Sequence, residues 1–167
     1  MADKRIIEQV VSEQYDELTA MSEFKLCSRK EEEQVDLDSN LAQVVIGVRR
    51  SGKSTLCYNV LKAKGEKFAY VNFDDERLDD LTTNDLNTVL EVLYKIYGDF
   101  KYLFLDEIQN IEGWHLFVNR LLRQRLHIIV TGSNAKLLSS ELATHLTGRS
   151  EQIELYPLSF AEWCDCK

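Results

Sequence analysis

Apolar and polar residues follow each other along this chain in a pattern that predicts strands and helices in turn. Short β-branched and aromatic runs predict buried strands at residues 44–46, 68–73, 102–106, 127–131 and 152–155. Apolar residues at helical spacing predict helices at residues 53–64, 84–97, 114–125 and 135–146. Such alternation builds a parallel sheet covered by helices on both faces, with ligands beyond the carboxyl ends of the strands. We therefore expect an α/β protein of three layers.

The first 40 residues precede this alternating pattern and are expected to form an N-terminal helical arm, with residues 41–167 as the core domain. Residues 5–18 have the spacing of an amphipathic helix, whose inward contacts are expected to be Ile6, Val10, Tyr15 and Leu18. We expect this helix to pack on the edge of the sheet. The charged run SRKEEE at residues 28–33 is expected to be solvated.

Composition and charge narrow the classes of function. With 167 residues, 44% hydrophobic and 29% charged, the chain has the make-up of one globular domain. Its formal charge of −8 argues against broad binding to nucleic acid or to anionic membranes, although a local basic patch remains open. No apolar run has the length of a membrane span, and Asp3, Lys4 and Arg5 are not followed by a signal core. We therefore expect a cytoplasmic protein.

The four cysteines match no zinc-binding spacing. Cys57 is expected to be a small buried residue on the helix at residues 53–64. Cys164 and Cys166 are expected to be a reduced, incidental pair near the C-terminus.

A glycine-rich motif directly follows the first strand. GVRRSGKS at residues 47–54 fits the phosphate-loop pattern G-x-x-x-x-G-K-[ST] at every defined position, between a predicted strand and a predicted helix. Backbone N–H groups of such a loop wrap a polyphosphate, which the chain approaches closely where glycine has no Cβ. The residues expected to bind nucleotide are Gly47, Val48, Arg49, Arg50, Ser51, Gly52, Lys53, Ser54 and Thr55.

Two side chains of the phosphate loop have expected roles of their own. Lys53 is expected to reach the β- and γ-phosphates, and the Ser54 hydroxyl to ligate Mg²⁺. The helix that begins at Lys53 points the positive end of its dipole at the anion. Arg49 and Arg50 are expected to point outward, because the loop binds phosphate through its backbone.

An acidic pair ends the third strand, YLFLDE at residues 102–107. Asp106 is expected to hold Mg²⁺ opposite Ser54, directly or through water. Glu107 is expected to orient and deprotonate a water in line with the γ-phosphate, and so to act as general base. In contrast, Asp74, Asp75 and Glu76 after the second strand are expected to be solvated charge or a partner surface.

Polar residues after the fourth strand are candidates for sensing the γ-phosphate. Ser133 and Asn134 compete for this role, with Thr131 third, although either of the first two could simply cap the following helix. Arg149, just before the fifth strand, could stabilise phosphoryl charge in its own or a neighbouring subunit. It could equally form a surface ion pair.

The ordered set GVRRSGKST, YVNFDD, YLFLDEIQ followed by GW, IIVTGSNAKLLSSEL, LTGR and YPLSFAEW resembles the prokaryotic AAA-type ATPases that carry a further C-terminal domain of poorly understood function. The resemblance covers about residues 44–163. It implies a phosphate-loop fold with a five-stranded, mainly parallel sheet in the order 5-1-4-3-2. It also implies ATP as nucleotide, and Arg149 as an arginine offered to a neighbour's nucleotide in a homo-oligomer.

The resemblance carries two further implications. In related ATPases the segment before the first strand often touches adenine, which makes Ile6 or Ile7 an alternative contact for the base. Family members continue past PLSFAEW, so the chain resembles an ATPase core that ends before the helical lid and effector domain.

Taken together, these features predict Mg²⁺-dependent ATP hydrolysis coupled to an unidentified protein partner. Three alternatives stay open at this point. They are a nucleotide-binding module without turnover, a phosphate-loop kinase of small molecules, and a DNA-associated motor, which would need a basic surface.

Overall fold

The structure, a computed structural model, describes residues 3–133 and 135–166 and contains a five-stranded sheet. Its strands are β1 Ala42–Ile46, β2 Phe68–Asn72, β3 Tyr102–Asp106, β4 His127–Gly132 and β5 Ser150–Glu154. They lie in the order β2-β3-β4-β1-β5, and each neighbouring pair is parallel. The expected order 5-1-4-3-2 is therefore confirmed.

Helices connect these strands in the predicted alternation. They are α1 Lys4–Met21, α2 Lys53–Lys64, α3 Leu86–Tyr97, α4 Trp114–Arg123, α5 Ala135–His145 and α6 Phe160–Asp165. Short 3-10 turns lie at Lys30–Gln34, Glu76–Leu78, Thr83–Asp85 and Ile108–Asn110. Among the described residues, no helix combines the length and apolar character that a membrane span requires.

Hydrophobic side chains fill both faces of the sheet, because successive residues of a strand point to opposite sides. Leu103 and Leu105 pack on one face, in a cluster that also includes residues of α1, α3 and α4. Tyr102 and Phe104 pack on the other face, with residues of α2. The expected three layers are thus present, with every residue of β1 and β3 buried.

Helix α1 packs on the edge strand β2 and on α3, as expected for the arm. Its buried face consists of Ile7, Val10, Val11 and Gln14, at the i, i+3, i+4, i+7 spacing. The expectation that Ile6 points inward is wrong, since it is 41% exposed. Tyr15 is 40% exposed but packs edge-on against Tyr97 of α3, with 5.0 Å between the ring centroids. The error arose because a polar residue, Gln14, belongs to the inward face.

The same placement bears on the alternative contact with adenine. Ile7 is buried in the core cluster with Val10 and Val11, and α1 lies beside β2. Strands β3 and β4 separate β2 from β1, which leads into the phosphate loop. The structure therefore does not support Ile6 or Ile7 as contacts of the base.

Two further expectations about the termini are wrong. Residues 28–33 are not uniformly solvated, because Arg29 and Glu31 are both 8% exposed. Cys166 is not an incidental thiol but is disulfide-bonded to Cys27, since α6 returns to the segment that precedes β1. Cys57 is buried on α2 as predicted, and Cys164 is exposed.

Candidate functional site

The phosphate loop lies between the carboxyl end of β1 and the first residue of α2, Lys53. Gly52 has a φ of 92°, which explains glycine at that position, and Arg50 also has a positive φ of 62°. At Gly47 the reason for glycine is a close approach, since a Cβ would lie 2.2 Å from the Leu155 carbonyl oxygen. The sequence hypothesis attributed both glycines to the phosphates, whereas Gly47 also makes room for the chain after β5.

Lys53 lies inside this loop, with 4% of the residue exposed. Its Nζ donates a hydrogen bond to the Val48 carbonyl oxygen at 3.0 Å and lies 3.7 Å from Oε1 of Glu107. The ammonium group therefore stands between the loop backbone and the acidic end of β3. This is the position from which a lysine reaches the β- and γ-phosphates of a nucleotide in the loop.

Ser54 and Asp106, the two expected ligands of Mg²⁺, are in direct contact. The Ser54 hydroxyl donates to Oδ1 of Asp106 at 3.0 Å, and the Thr131 hydroxyl donates to the same oxygen. Tyr70 donates its phenol to Oδ2 at 3.1 Å. A hydroxyl and a carboxylate facing each other at the mouth of the loop are the hard oxygen donors that Mg²⁺ prefers.

The small number of protein oxygens also fits magnesium. Within residues 3–133 and 135–166, no group of three or more His, Cys, Asp or Glu side chains is placed to hold a metal ion. Mg²⁺ typically keeps several waters and is bound through one or two carboxylates and substrate phosphates. Ser54 and Asp106 are the described residues that could hold Mg²⁺ together with a nucleotide.

Burial dominates the acidity of Asp106, which is 2% exposed. It raises the pKa of the carboxyl above its usual range, an effect that the hydrogen bonds from Thr131 and Ser54 only partly offset. The neighbouring charge of Glu107 raises the pKa further. A cation bound at Ser54 and Asp106 would relieve this unfavourable burial of charge.

Glu107 is held in a different environment. Burial would raise the pKa of its carboxyl, but hydrogen bonds from Ser133 and Gln109, with the charge of Lys53, outweigh burial and lower the pKa. Oε2 accepts from the Ser133 hydroxyl at 2.6 Å, from the Ser133 N–H at 3.0 Å and from Gln109 Nε2 at 2.7 Å. The carboxylate is thus ionised and fully engaged by protein donors.

An unusual backbone conformation directs the Glu107 side chain toward Ser133 and Lys53. Its φ is 54°, in the left-handed region that non-glycine residues adopt infrequently. The Glu107 N–H donates to the Thr131 hydroxyl at 2.9 Å, and that hydroxyl also binds Asp106. Thr131, third among the expected sensors, therefore orients both acidic residues rather than facing a phosphate.

Ser133 is the sensor candidate that the structure brings to the site, through its two bonds to Glu107. Asn134 lies outside the described residues. The loop side chains Val48, Arg49 and Arg50 are exposed, and Thr55 is half-buried in the first turn of α2. Arg49 and Arg50 thus point outward as predicted.

The loop after β2 is closer to the phosphate loop than expected. Asp74 forms an ion pair with Arg49, with about half of each side chain or more still in solvent. Asp75 instead pairs with Arg77 at 2.9 Å. Asp74 is therefore a solvated residue, as expected, but it also contacts the phosphate loop through Arg49.

Arg149 is the one expected catalytic residue among those described that lies away from this site. It is exposed, and its Nη1 lies 3.3 Å from Oδ1 of Asn119. The next residue, Ser150, pairs with Ala42 at the amino end of β1, whereas the phosphate loop follows the carboxyl end. About 13 Å of strand separates the two ends, so Arg149 does not reach its own loop.

Sequence reasoning missed Arg29, which contacts the phosphate loop from behind. Its Nη1 donates to the Ser51 carbonyl oxygen at 3.1 Å. The residue stands in an acidic run and pairs with Glu31 at 3.6 Å, but its hydrogen-bond partners lie far away in sequence, at residues 51, 156 and 162. No local pattern signals such a contact.

Comparisons with known proteins bear on the family and the fold of this chain. Residues 39–164 match the AAA domain family. An uncharacterized protein of Methanocaldococcus jannaschii is 38% identical over 169 residues, which cover 100% of this chain and 37% of that protein. An uncharacterized protein of Haemophilus influenzae is 38% identical over 138 residues, covering 78% of this chain and 34% of its own length. The chain thus spans little more than a third of these relatives.

Solved structures show the same fold at low sequence identity. PCH-2 of C. elegans superposes with a TM-score of 0.50 at 15% identity, over 95% of this chain and 44% of that one. Pif1 helicase of Candida albicans also has a TM-score of 0.50, at 14% identity, over 81% of this chain and 41% of the helicase chain. With its phosphate loop and matched residues 39–164, this chain belongs to the AAA domain family and has a nucleotide-binding fold of the ATPase type.

Proposed function

We propose that this chain binds ATP with Mg²⁺ and hydrolyses it to ADP and phosphate. The observation that carries the proposal is the convergence of Lys53, Ser54, Asp106 and Glu107 around one phosphate loop, linked by contacts of 3.0–3.7 Å. Family membership supports nucleotide binding. The geometry of the acidic pair supports hydrolysis.

The phosphate loop supplies most of the binding. Its backbone N–H groups and the amino end of α2 face the phosphates, and Lys53 exchanges the Val48 carbonyl for phosphate oxygens. Ser54 and Asp106 hold Mg²⁺, which neutralises charge on the β- and γ-phosphates when bound. The Ser54–Asp106 hydrogen bond of 3.0 Å supports this role, because it brings the two oxygens close together.

Glu107 acts as the general base that activates the attacking water. Its carboxylate is ionised, and Lys53, 3.7 Å away, lowers its pKa. When Lys53 turns to the phosphates and Ser133 to the γ-phosphate, the carboxyl loses stabilising donors and becomes a stronger base. Ser133, or Asn134 beside it, thereby links the presence of a γ-phosphate to the freeing of Glu107.

The engaged state of Glu107 also favours a second function. If Ser133 and Gln109 keep their bonds to the carboxylate after ATP binds, the chain holds nucleotide without turning it over. It would then act as a nucleotide-dependent binding module. The two functions differ in phosphate release but not in nucleotide affinity.

Two substitutions test the proposal. Lys53→Ala should abolish measurable ATP binding, because it removes the cation that meets the phosphates inside the loop. Glu107→Gln should keep the affinity for ATP and lower phosphate release by about 10²–10⁴-fold, because it removes the base. Calorimetric titration and steady-state phosphate release measure the two effects.

Matched controls are available on the same elements. Lys62→Ala, on the exposed side of α2, and Glu112→Gln, exposed before α4, should change neither quantity more than about twofold. If the Lys53→Ala protein bound ATP with the same affinity as the wild-type protein, this loop would be excluded as the nucleotide site. Tight ATP binding by the wild-type protein with no phosphate release at any concentration would favour the binding module.

A further inference from the structure

Arg29 is a buried arginine that ties three distant segments together. Only 8% of the residue is exposed. Its guanidinium donates to the Ser51 carbonyl oxygen at 3.1 Å, to the Tyr156 carbonyl oxygen at 3.0 Å and to Oε1 of Glu162 at 3.2 Å. Because a guanidinium stays charged at every accessible pH, burying it is costly unless its fork of donors is matched in this way.

The segment that carries Arg29 is itself fixed on α2, the helix that follows the phosphate loop. Asn59 on α2 donates to the Cys27 carbonyl oxygen at 2.9 Å and to Oε1 of Glu32 at 3.0 Å. The same Glu32 oxygen accepts from the Arg29 N–H at 3.0 Å. The segment around Arg29 is therefore hydrogen-bonded to α2, and Arg29 itself contacts the phosphate loop that precedes α2.

The bond to Ser51 determines which way one peptide group of the phosphate loop faces. In a trans peptide the carbonyl and the following N–H point in opposite directions, and no described peptide is cis. When Arg29 holds the Ser51 carbonyl outward, the Gly52 N–H must point to the inner side of the loop. No described backbone carbonyl accepts a hydrogen bond from Gly52 N–H.

The loop needs such a restraint because its backbone is unusual. Arg50 and Gly52 both have positive φ angles, of 62° and 92°. An isolated loop would populate other conformations, and ordering it when a ligand arrives would weaken binding. A buried, charge-assisted bond to the Ser51 carbonyl stabilises the ordered loop before nucleotide arrives.

We propose that Arg29 is a positioning residue for phosphate binding, which keeps the Gly52 N–H directed at the polyphosphate by holding the Ser51 carbonyl from behind. The inference rests on the proposed nucleotide function of this site. Arg29 touches no reacting atom and acts through the Ser51–Gly52 peptide. Its loss should weaken the binding of every nucleotide that places a phosphate in the loop.

The test compares affinities for Mg²⁺ and ADP among variants of the full chain. Arg29→Met should raise the dissociation constant by about tenfold or more, the scale of one lost charge-assisted bond. Arg29→Lys keeps the buried charge beside Glu162 but not the fork, so it should raise the constant by a smaller factor. Glu162→Gln, the matched control, removes the charge of one partner of the same guanidinium but keeps an acceptor oxygen, and should stay within about threefold of wild type.

Two readouts separate positioning from a general loss of structure. At saturating ATP the Arg29→Lys protein should keep its maximal rate while KM rises, because the lost interaction serves bound substrate and transition state alike. In the wild-type chain crystallised with ADP, Arg29 should still contact the Ser51 carbonyl while Gly52 N–H meets a phosphate. This second measurement needs no variant to fold.

The outcomes are distinct. Wild-type affinity in folded Arg29→Met and Arg29→Lys proteins, or an ADP complex in which Arg29 has left the Ser51 carbonyl, would overturn the inference. Failure of the wild-type chain to bind ADP would instead refute the proposed function of the site.

Discussion

Asp106 carries a carboxylate that is almost wholly removed from solvent, with three hydroxyl groups as its partners. Burial raises its pKa from the ordinary value of 3.8, so the ionised form is less favourable in the folded protein than in the unfolded chain. At low pH the carboxyl is protonated in both states, and the folded protein does not lose stability to a buried charge. That stability is lost as the pH rises from the ordinary pKa through the raised one.

Asp106→Asn should consequently stabilise the nucleotide-free protein at neutral pH, because an amide keeps the shape without the charge. The unfolding temperature should rise by about 2–4 °C for each kcal/mol gained. The advantage over wild type should shrink as the pH falls through the raised pKa of the wild-type carboxyl, which then also becomes protonated. Thermal unfolding followed by circular dichroism at a series of pH values measures the difference.

The same variant should lose the dependence of ADP affinity on Mg²⁺, since one of the two expected ligands is gone. Asp79→Asn, on an exposed loop, is the control and should change neither property. A less stable Asp106→Asn protein at pH 7 would contradict the assignment of a destabilising buried charge.

At the scale of elements, helix α1 closes the open edge of the sheet. The Gln14 side-chain amide donates to the Asn72 carbonyl at 2.9 Å and accepts from the Asn72 N–H at 2.9 Å. The amide thus makes the two backbone hydrogen bonds at Asn72 that a further strand would make. An edge strand left unpaired offers its backbone to other chains.

Gln14→Leu should therefore destabilise the protein, although leucine suits a buried helix position. Two backbone groups lose their partners at about 1–3 kcal/mol each, which leucine burial only partly offsets. Gln9→Leu, on the exposed side of the same helix, should have almost no effect. Urea unfolding measures both, and an equal change in the two variants would show that the paired amide contributes nothing.

The elements were predictable from sequence because β1 and β3 contain the short apolar runs 44–46 and 102–105 and the phosphate loop is a local motif. Lys53, Ser54, Asp106 and Glu107 follow from that local pattern. Arg29 does not, since composition places it in a charged run, and three of its partners, at residues 51, 156 and 162, are distant in sequence. The inward Gln14 was missed for the same reason, because its partner is the backbone of β2.

At the scale of the whole molecule, the two ends of the sheet carry different parts of the expected machinery. The phosphate loop and both acidic residues lie at the carboxyl ends of the strands, and Arg149 lies at the amino end of β5. Because Arg149 is exposed at the amino ends of the strands, it could contact a nucleotide only in another copy of the chain. The structure thus places Arg149 away from its own phosphate loop, and its action on a neighbouring subunit stays a prediction.

Mixing two inactive variants tests action between subunits. Arg149→Ala should lower hydrolysis by about 10³-fold or more if the arginine stabilises phosphoryl charge. Combined with Lys53→Ala protein in equal amounts, it should recover roughly a quarter of wild-type activity, because random assembly pairs an intact loop with an intact arginine at that frequency. Arg123→Ala, on exposed surface, should not behave this way.

Wild-type activity in the Arg149→Ala protein would assign this side chain to the surface contact with Asn119 alone. No recovery at any mixing ratio would count against a site shared between subunits. A rise of specific activity with protein concentration in the wild type would support one independently.

The central claim is that Glu107 activates water against ATP held by the phosphate loop. A single-turnover experiment tests it most directly: excess protein is mixed with ATP and Mg²⁺, quenched at intervals, and the bound nucleotide is separated and quantified. The account predicts ADP in the wild-type protein and intact ATP, bound as tightly, in the Glu107→Gln protein over the same period. Formation of ADP by the Glu107→Gln protein at the wild-type rate would contradict it.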